Sequence, residues 1–304
     1  MLEDEFWDFY WEARLQAMEN LGKQAAIQAA SRLIRQLTRQ INRPIRLLEP
    51  GCGEGQVIGA LLDGHAQVCD RRNSLGIDYN PRSVARCRKD YPGLRVEQAD
   101  FTDPALLARS GPFELVLLVN ALHEVFSSTV SPETGEVDLL PARQRVEQAL
   151  GAISRRLTPD GWLVLFDGLE PAGDPAEPVQ LRFAELRARA DFELFARQYR
   201  PFHITFAPLS SPLEVRLSRR DFTRYITKSI FLGKSLWQTE QYESYQYFTE
   251  ADFRAACERQ GLVIRDLHTL TMNEEKWRSQ VEILTPGIEF PDEHILILAQ
   301  LQMK

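Results

Sequence analysis

Apolar residues recur at three- and four-residue spacings over Phe6, Trp7, Tyr10, Trp11, Leu15 and Met18, and after Gly22 a second run over 26–41 keeps the same period. That period puts apolar side chains on one helical face, so 6–41 reads as helix. The pattern then changes. Residues 45–51 form an apolar run that ends at Gly51, as a buried strand does on entering a tight loop. A helix restarts over 57–62, a second strand spans 74–78, and a second helix spans 81–89 with Pro81 suited to its first turn. Residues 94–100 and 113–119 read as strands, 143–157 as a helix stopped by Thr158-Pro159-Asp160-Gly161, and 162–166 as a fifth strand. Strands alternating with helices predict a mostly parallel sheet covered on both faces.

The alternation breaks after Phe166. A linker rich in Pro and Gly (Pro171, Gly173, Pro175, Pro178) leads into segments read as helical up to 247. Thr249 and Asp252 then suit a capping box, 253–260 reads as helix with Gly261 as its stop, and 262–270 and 294–300 read as strands. The chain therefore divides into an N-terminal helical cover (1–44), a core (45–167), an inserted helical lid (168–247) and a completion of the sheet (248–304).

No apolar run approaches the ~20 residues of a membrane span. The acidic start Met1-Leu2-Glu3-Asp4-Glu5 lacks the features of a signal peptide, so a cytoplasmic location with no membrane partner is the expectation. Cys52, Cys69, Cys87 and Cys257 show neither metal nor disulfide spacing, and no metal is expected. The net charge of −7 argues against nonspecific nucleic-acid binding. Residues 181–240 run the other way, with eleven Lys/Arg against six Asp/Glu. That local excess keeps an RNA acceptor in view.

The chemistry concentrates where strands end. Glu49-Pro50-Gly51-Cys52-Gly53-Glu54-Gly55 joins a strand to a helix, and its glycines permit sharp turning and close ligand approach. A dinucleotide fingerprint needs glycine three places after Gly53, where Gln56 stands. Glu49 is a poor neighbour for a pyrophosphate but suits a ligand carrying an ammonium and a sulfonium. Asp78 ends the second strand and can accept from ribose hydroxyls. Asp100 can accept from an adenine amino group with Phe101 beside the ring, and Asn120 ends the fourth strand. Open α/β sheets bind ligands at these carboxyl ends.

Residues 45–167 thus resemble the class I S-adenosylmethionine-dependent methyltransferases. Glu49 to Gly55 is similar to the family's first motif, Asp78 to its ribose acid, Asp100-Phe101 to its adenine motif, 117–122 to its fourth-strand motif and 157–163 to its fifth-strand entry. Residues 248–270 resemble the helix and sixth strand. The resemblance implies a Rossmann-like α/β sheet, mostly parallel with an antiparallel last strand, plus the helical lid. It implies S-adenosylmethionine as cofactor, held by Glu49, Gly51, Gly53, Gly55, Asp78, Tyr79, Asp100, Phe101 and Asn120.

The acceptor is open between oxygen, nitrogen and carbon. The fourth strand continues Asn120-Ala121-Leu122-His123 rather than Asp/Asn-Pro-Pro-Tyr, which weakens a DNA or glutamine-amide acceptor. His123 is the candidate base, with an intrinsic pKa of ~6.5, and Glu124 adjoins it. Tyr10, Trp11, Arg224, Lys228, Trp237 and Tyr245 are candidates to wall a small-molecule acceptor, the basic pair by holding an anionic group. An RNA methyltransferase and a noncatalytic cofactor-binding scaffold are the rivals.

Overall fold

The computed structural model describes residues 21–131 and 134–302. In chain order the core runs α1 (Leu21–Gln40), β1 (Leu47–Pro50), α2 (Gln56–Gly64), β2 (Leu75–Asp78), α3 (Pro81–Asp90), β3 (Arg95–Gln98), α4 (Pro104–Arg109), β4 (Phe113–Val119), α5 (Leu122–Ser127), α6 (Leu139–Ser154) and β5 (Leu157–Gly168). The insert adds β6 (Pro178–Phe183), α7 (Leu186–Gln198), β7 (Phe206–Pro208), β8 (Glu214–Ser218), α8 (Arg219–Lys228) and α9 (Trp237–Glu240). The chain closes with α10 (Glu250–Arg259), β9 (Leu262–Leu270), α11 (Glu274–Gln280), β10 (Val281–Ile283) and β11 (His294–Leu301).

Seven strands form one sheet in the order β3-β2-β1-β4-β5-β11-β9. Neighbours from β3 to β5 pair parallel, and β11 lies antiparallel between β5 and β9. Every position of β4 is buried because the pleat sends alternate residues into two cores. Leu115, Leu117 and Val119 join Trp162, Val164 and Phe166 under α1, α2 and α3. Val116 and Leu118 join Leu163 and Leu165 under α6 and α10. The expected Rossmann-like sheet with its antiparallel last strand is present.

Local chemistry sets the boundaries. Asn80 caps α3 by accepting from the backbone N–H of Arg82, with Pro81 in the first turn. Thr249 and Asp252 form the expected capping box of α10. The helix read as reaching 157 stops at Ser154, and β5 begins at Leu157, with 158–161 absorbed by a register shift against β4.

The lid is not helical alone. β6, β8 and β7 form an antiparallel sheet, which β10 joins from beyond 247. The cause is strict alternation in β6: Val179, Leu181 and Phe183 are buried, while Pro178, Gln180 and Arg182 face outward. These strands pack with Phe192, Phe195, Tyr225, Trp237 and Trp277 into a third core. This sheet and its core thus draw on 168–247 together with residues between β9 and β11. Among the described residues no helix is long and apolar enough to cross a membrane.

Candidate active site

The loop from β1 to α2 shapes a cleft at the carboxyl edge. Gly51, Gly53 and Gly55 take φ of 70°, 54° and 78°, a left-handed region that L side chains enter at about 1–2 kcal/mol. A Cβ on Gly51 would lie 3.1 Å from Ala121 Cβ and 3.4 Å from Phe101 Cε1, and one on Gly55 would lie 2.2 Å from Cys87 Sγ. Gly55→Ala therefore combines strain with overlap. We expect Tm to fall by roughly 5 °C or more in a thermal melt, with cofactor affinity reduced; an unchanged Tm would show that the loop tolerates a side chain.

Two carboxylates brace this loop. Glu49, buried at the end of β1, accepts from the Ile58 N–H at 3.0 Å through Oε2. Burial pushes its carboxyl up to about 8, opposed by that hydrogen bond and by Lys23. Asp78 accepts from the Gly53 N–H through Oδ2 and from the Asn80 N–H through Oδ1, each at 2.8 Å. It ties the glycine loop to the end of β2.

Lys23, Glu49, Gly51, Gly53, Glu54, Gln56 and Asn120 line one cleft. Two of its buried side-chain atoms, the donor Gln56 Nε2 and the acceptor Asn120 Oδ1, have no partner among the described residues. Asn120 holds a φ of 52° and donates its N–H to the Phe166 carbonyl at 2.7 Å. An unmet donor and acceptor beside Glu49 suit a ligand that carries both a carboxylate and an ammonium. Phe101 is buried beneath the loop. Asp100 is exposed and accepts from the N–H and Oγ1 of Thr102, and Tyr79 is 61% exposed beyond Asp78.

A second constellation lies past Asn120. His123 is fully buried in α5, its Nδ1 2.8 Å from Asp167 Oδ1. Asp167, near the end of β5, also accepts from the N–H groups of Leu122, His123 and Gly168. The imidazole stacks on Tyr245 with ring centroids 3.8 Å apart. Its Nε2 has no hydrogen-bond partner among the described residues and lies 3.9 Å from Glu243 Oε2. Burial lowers the His123 pKa, but Asp167, by charge and hydrogen bond, and then Glu124 and Glu243 outweigh it, so the net shift is upward.

The remaining acceptor candidates divide. Tyr245 touches His123 and also carries Lys228 Nζ 4.4 Å above its ring. Lys228 is wholly buried and bonded to Glu240, with Glu243 at 3.4 Å. Arg224 pairs with Asp221 at 3.1 Å and stacks 3.6 Å above Phe202. Both cations are thus matched by carboxylates of the lid itself. Trp237 lies in the lid core, donating to Gln198 Oε1 at 2.6 Å. Tyr10 and Trp11 lie outside the described residues. Lys23, Gln56 and Glu243 join the site without any motif that marks them in the chain. Asp167 does carry a signal that the sequence reading missed: it follows Phe166 at a strand end, the kind of position where the other acids stand. Among the described residues no group of His, Cys, Asp and Glu could hold a metal ion.

Residues 48–165 match the family model described as a methyltransferase domain. No curated protein matches the chain. Among solved structures the chain is similar to a TehB-like SAM-dependent methyltransferase from Corynebacterium glutamicum, at 16% identity over 98% of this chain and 99% of that one, with a TM-score of 0.46. It is similar to a S-adenosylmethionine-dependent methyltransferase from Clostridium acetobutylicum, at 12% identity over 90% and 91%, TM-score 0.46. A third likeness is to the magnesium protoporphyrin IX methyltransferase of Synechocystis with bound SAM, at 12% identity over 93% of this chain and 81% of that one, TM-score 0.44.

Proposed function

We propose that this chain, whose residues 48–165 match a methyltransferase-domain model, is a class I S-adenosylmethionine-dependent methyltransferase that methylates a small-molecule acceptor held between the sheet edge and the lid, with His123 as general base. The observation that carries this reading is the His123–Asp167 pair. Its Nε2 is unpartnered among the described residues and buried, three residues past the Asn120 that lines the cofactor cleft. A base so deep favours a small acceptor over a folded RNA. Six of the eleven basic residues of 181–240 (Arg182, Arg189, Arg219, Arg220, Arg224 and Lys228) are paired with nearby carboxylates, which reduces the charge this segment offers to phosphates. An RNA-binding face needs such cations available to phosphates.

The cofactor supplies an electrophilic methyl on a sulfonium. Glu49 and Asn120 Oδ1 would receive its ammonium, Gln56 Nε2 its carboxylate, Asp78 its ribose, and Asp100 with Phe101 its adenine. Nδ1–H of His123 donates to Asp167, which leaves the Nε2 lone pair to take the acceptor's proton. This tautomer follows from the hydrogen-bond network.

Calorimetry tests the cofactor half. S-adenosylmethionine and S-adenosylhomocysteine should both bind, and Asp78→Ala should weaken both alike. Glu49 adds a proton signature. With its carboxyl pushed up to about 8, it holds a proton at pH 7. A cationic ligand beside it favours the ionised form. Binding at pH 7 should therefore release protons, and affinity should rise with pH until about 8. Titrations in buffers of different ionisation enthalpy measure the release; no heat with either ligand sinks the cofactor assignment, and binding without proton release removes Glu49 from it.

A further inference from the structure

The lid's basic residues made an anionic acceptor the natural expectation, but the charges around His123 run the other way. On its own element stands Glu124, and behind it on β5 stands Asp167. From the lid come Glu243, Tyr245 and Lys228, and from β11 comes His294, edge-on to Tyr245 at 5.8 Å. Among the described residues of this set Lys228 supplies the ammonium, and it bonds to Glu240. Glu243 is then a further carboxylate, shared at 3.4 Å with Lys228 and at 3.9 Å with His123 Nε2. Among the described residues this cluster brings together four carboxylates (Glu124, Asp167, Glu240, Glu243) and one lysine.

Acidity alone would not mark a site. The second observation is His123 Nε2 itself, fully buried, without a hydrogen-bond partner among the described residues, and directed toward Glu243. A nitrogen able to accept a proton, facing a carboxylate within a cluster of acidic side chains, is complementary to a group that arrives positive and leaves its proton behind.

We propose that the acceptor is an amine, drawn in as its ammonium by Glu243 and Glu124 and deprotonated by His123. This deepens the methyltransferase reading and rests on it. The ammonium gives one proton to His123 Nε2. The freed nitrogen lone pair forms the N–C bond to the methyl group as the S–C bond breaks and its electron pair returns to sulfur. The products are a methylated ammonium, the thioether S-adenosylhomocysteine and an imidazolium. Asp167 on Nδ1 and Glu243 beside Nε2 stabilise that imidazolium until the proton passes to solvent. Glu243 is the specificity residue, since it faces both the base and the lid's lysine.

The full chain should be incubated with methyl-labelled S-adenosylmethionine and a metabolite extract split by cation exchange into cationic, neutral and anionic fractions. Label is expected in a product from the cationic fraction, in a bond that survives mild alkali as a methyl ester does not. Glu243→Gln should raise KM for that fraction's acceptor about tenfold or more with a smaller change in kcat, and Glu243→Asp should recover part of the loss. Calorimetric binding of S-adenosylhomocysteine by both variants reports that they are folded. Label only in neutral or anionic products, no labelled product from any fraction while the cofactor still binds, or an unmoved KM in Glu243→Gln overturns the amine assignment. Absence of cofactor binding in the unaltered chain overturns the underlying methyltransferase reading instead.

Discussion

Replacing His123 by alanine should lower kcat by about 10²–10⁴-fold, the usual contribution of a positioned acid or base, while S-adenosylhomocysteine binds nearly as before. The separation follows from position. His123 is not among the residues lining the cofactor cleft. Asp167 keeps its three backbone N–H donors, at positions 122, 123 and 168. The main-chain donor at 123 does not depend on the side chain, so the carboxylate stays satisfied and the variant should fold. Full turnover in the His123→Ala enzyme would remove the base and leave positioning alone to carry catalysis.

The pH dependence of the unaltered enzyme sharpens this test. The folded-state pKa of His123 lies above its unfolded value of ~6.5. Turnover needs the neutral imidazole, so kcat/KM should rise as pH climbs through that raised pKa. The stability contributed by the imidazolium and its carboxylates moves oppositely: it is fully present below ~6.5 and is lost as pH rises through the folded value. The unfolding free energy should therefore fall over the interval between ~6.5 and the raised pKa, while the rate climbs as that raised pKa is passed, and His123→Ala should flatten both. Asp167→Asn should shift the rate midpoint downward, since the carboxylate holds it up.

The core was legible because its signals are local. Each strand carries its own apolar run, and the glycines of 51–55 announce a turn wherever they stand. The lid was less so. Val179, Leu181 and Phe183 alternate plainly, but β10, which pairs with them, follows only after the rest of the insert, α10 and β9. Its register is set by tertiary packing rather than by any turn signal. The same distance hid the chemistry of α8. Arg224 and Lys228 sit at helical spacing and look like an open basic face. Only the fold brings Glu240 and Glu243 back over Lys228, twelve and fifteen residues later. Asp167 was hidden differently: the hydrogen bonds that mark it come from α5, a six-residue helix too short to show a period.

Lys228→Met should cost about 3–5 kcal/mol of folding free energy, the loss seen when one partner of a buried ion pair is removed. Methionine is close to lysine in length and volume, so the loss is one of charge, including the ammonium's contacts with the Tyr245 and Phe231 rings, rather than volume. Glu240, itself buried, would then hold a carboxylate that has lost the ammonium now bonded to it. Such a group takes up a proton more readily in the folded than in the unfolded chain. Its folded pKa rises above the unfolded value, and the variant's deficit should shrink as pH falls toward ~4.3, where unfolded Glu240 also protonates. Denaturant melts of both proteins from pH 5 to 8 measure this, with the gap widest at pH 8. The double variant Lys228→Met with Glu240→Gln should recover much of the loss, because the buried carboxylate that bonded Lys228 is gone. A gap that is constant with pH, or a double variant no more stable than the single one, would show that Lys228 supports the lid by packing and not by neutralising Glu240.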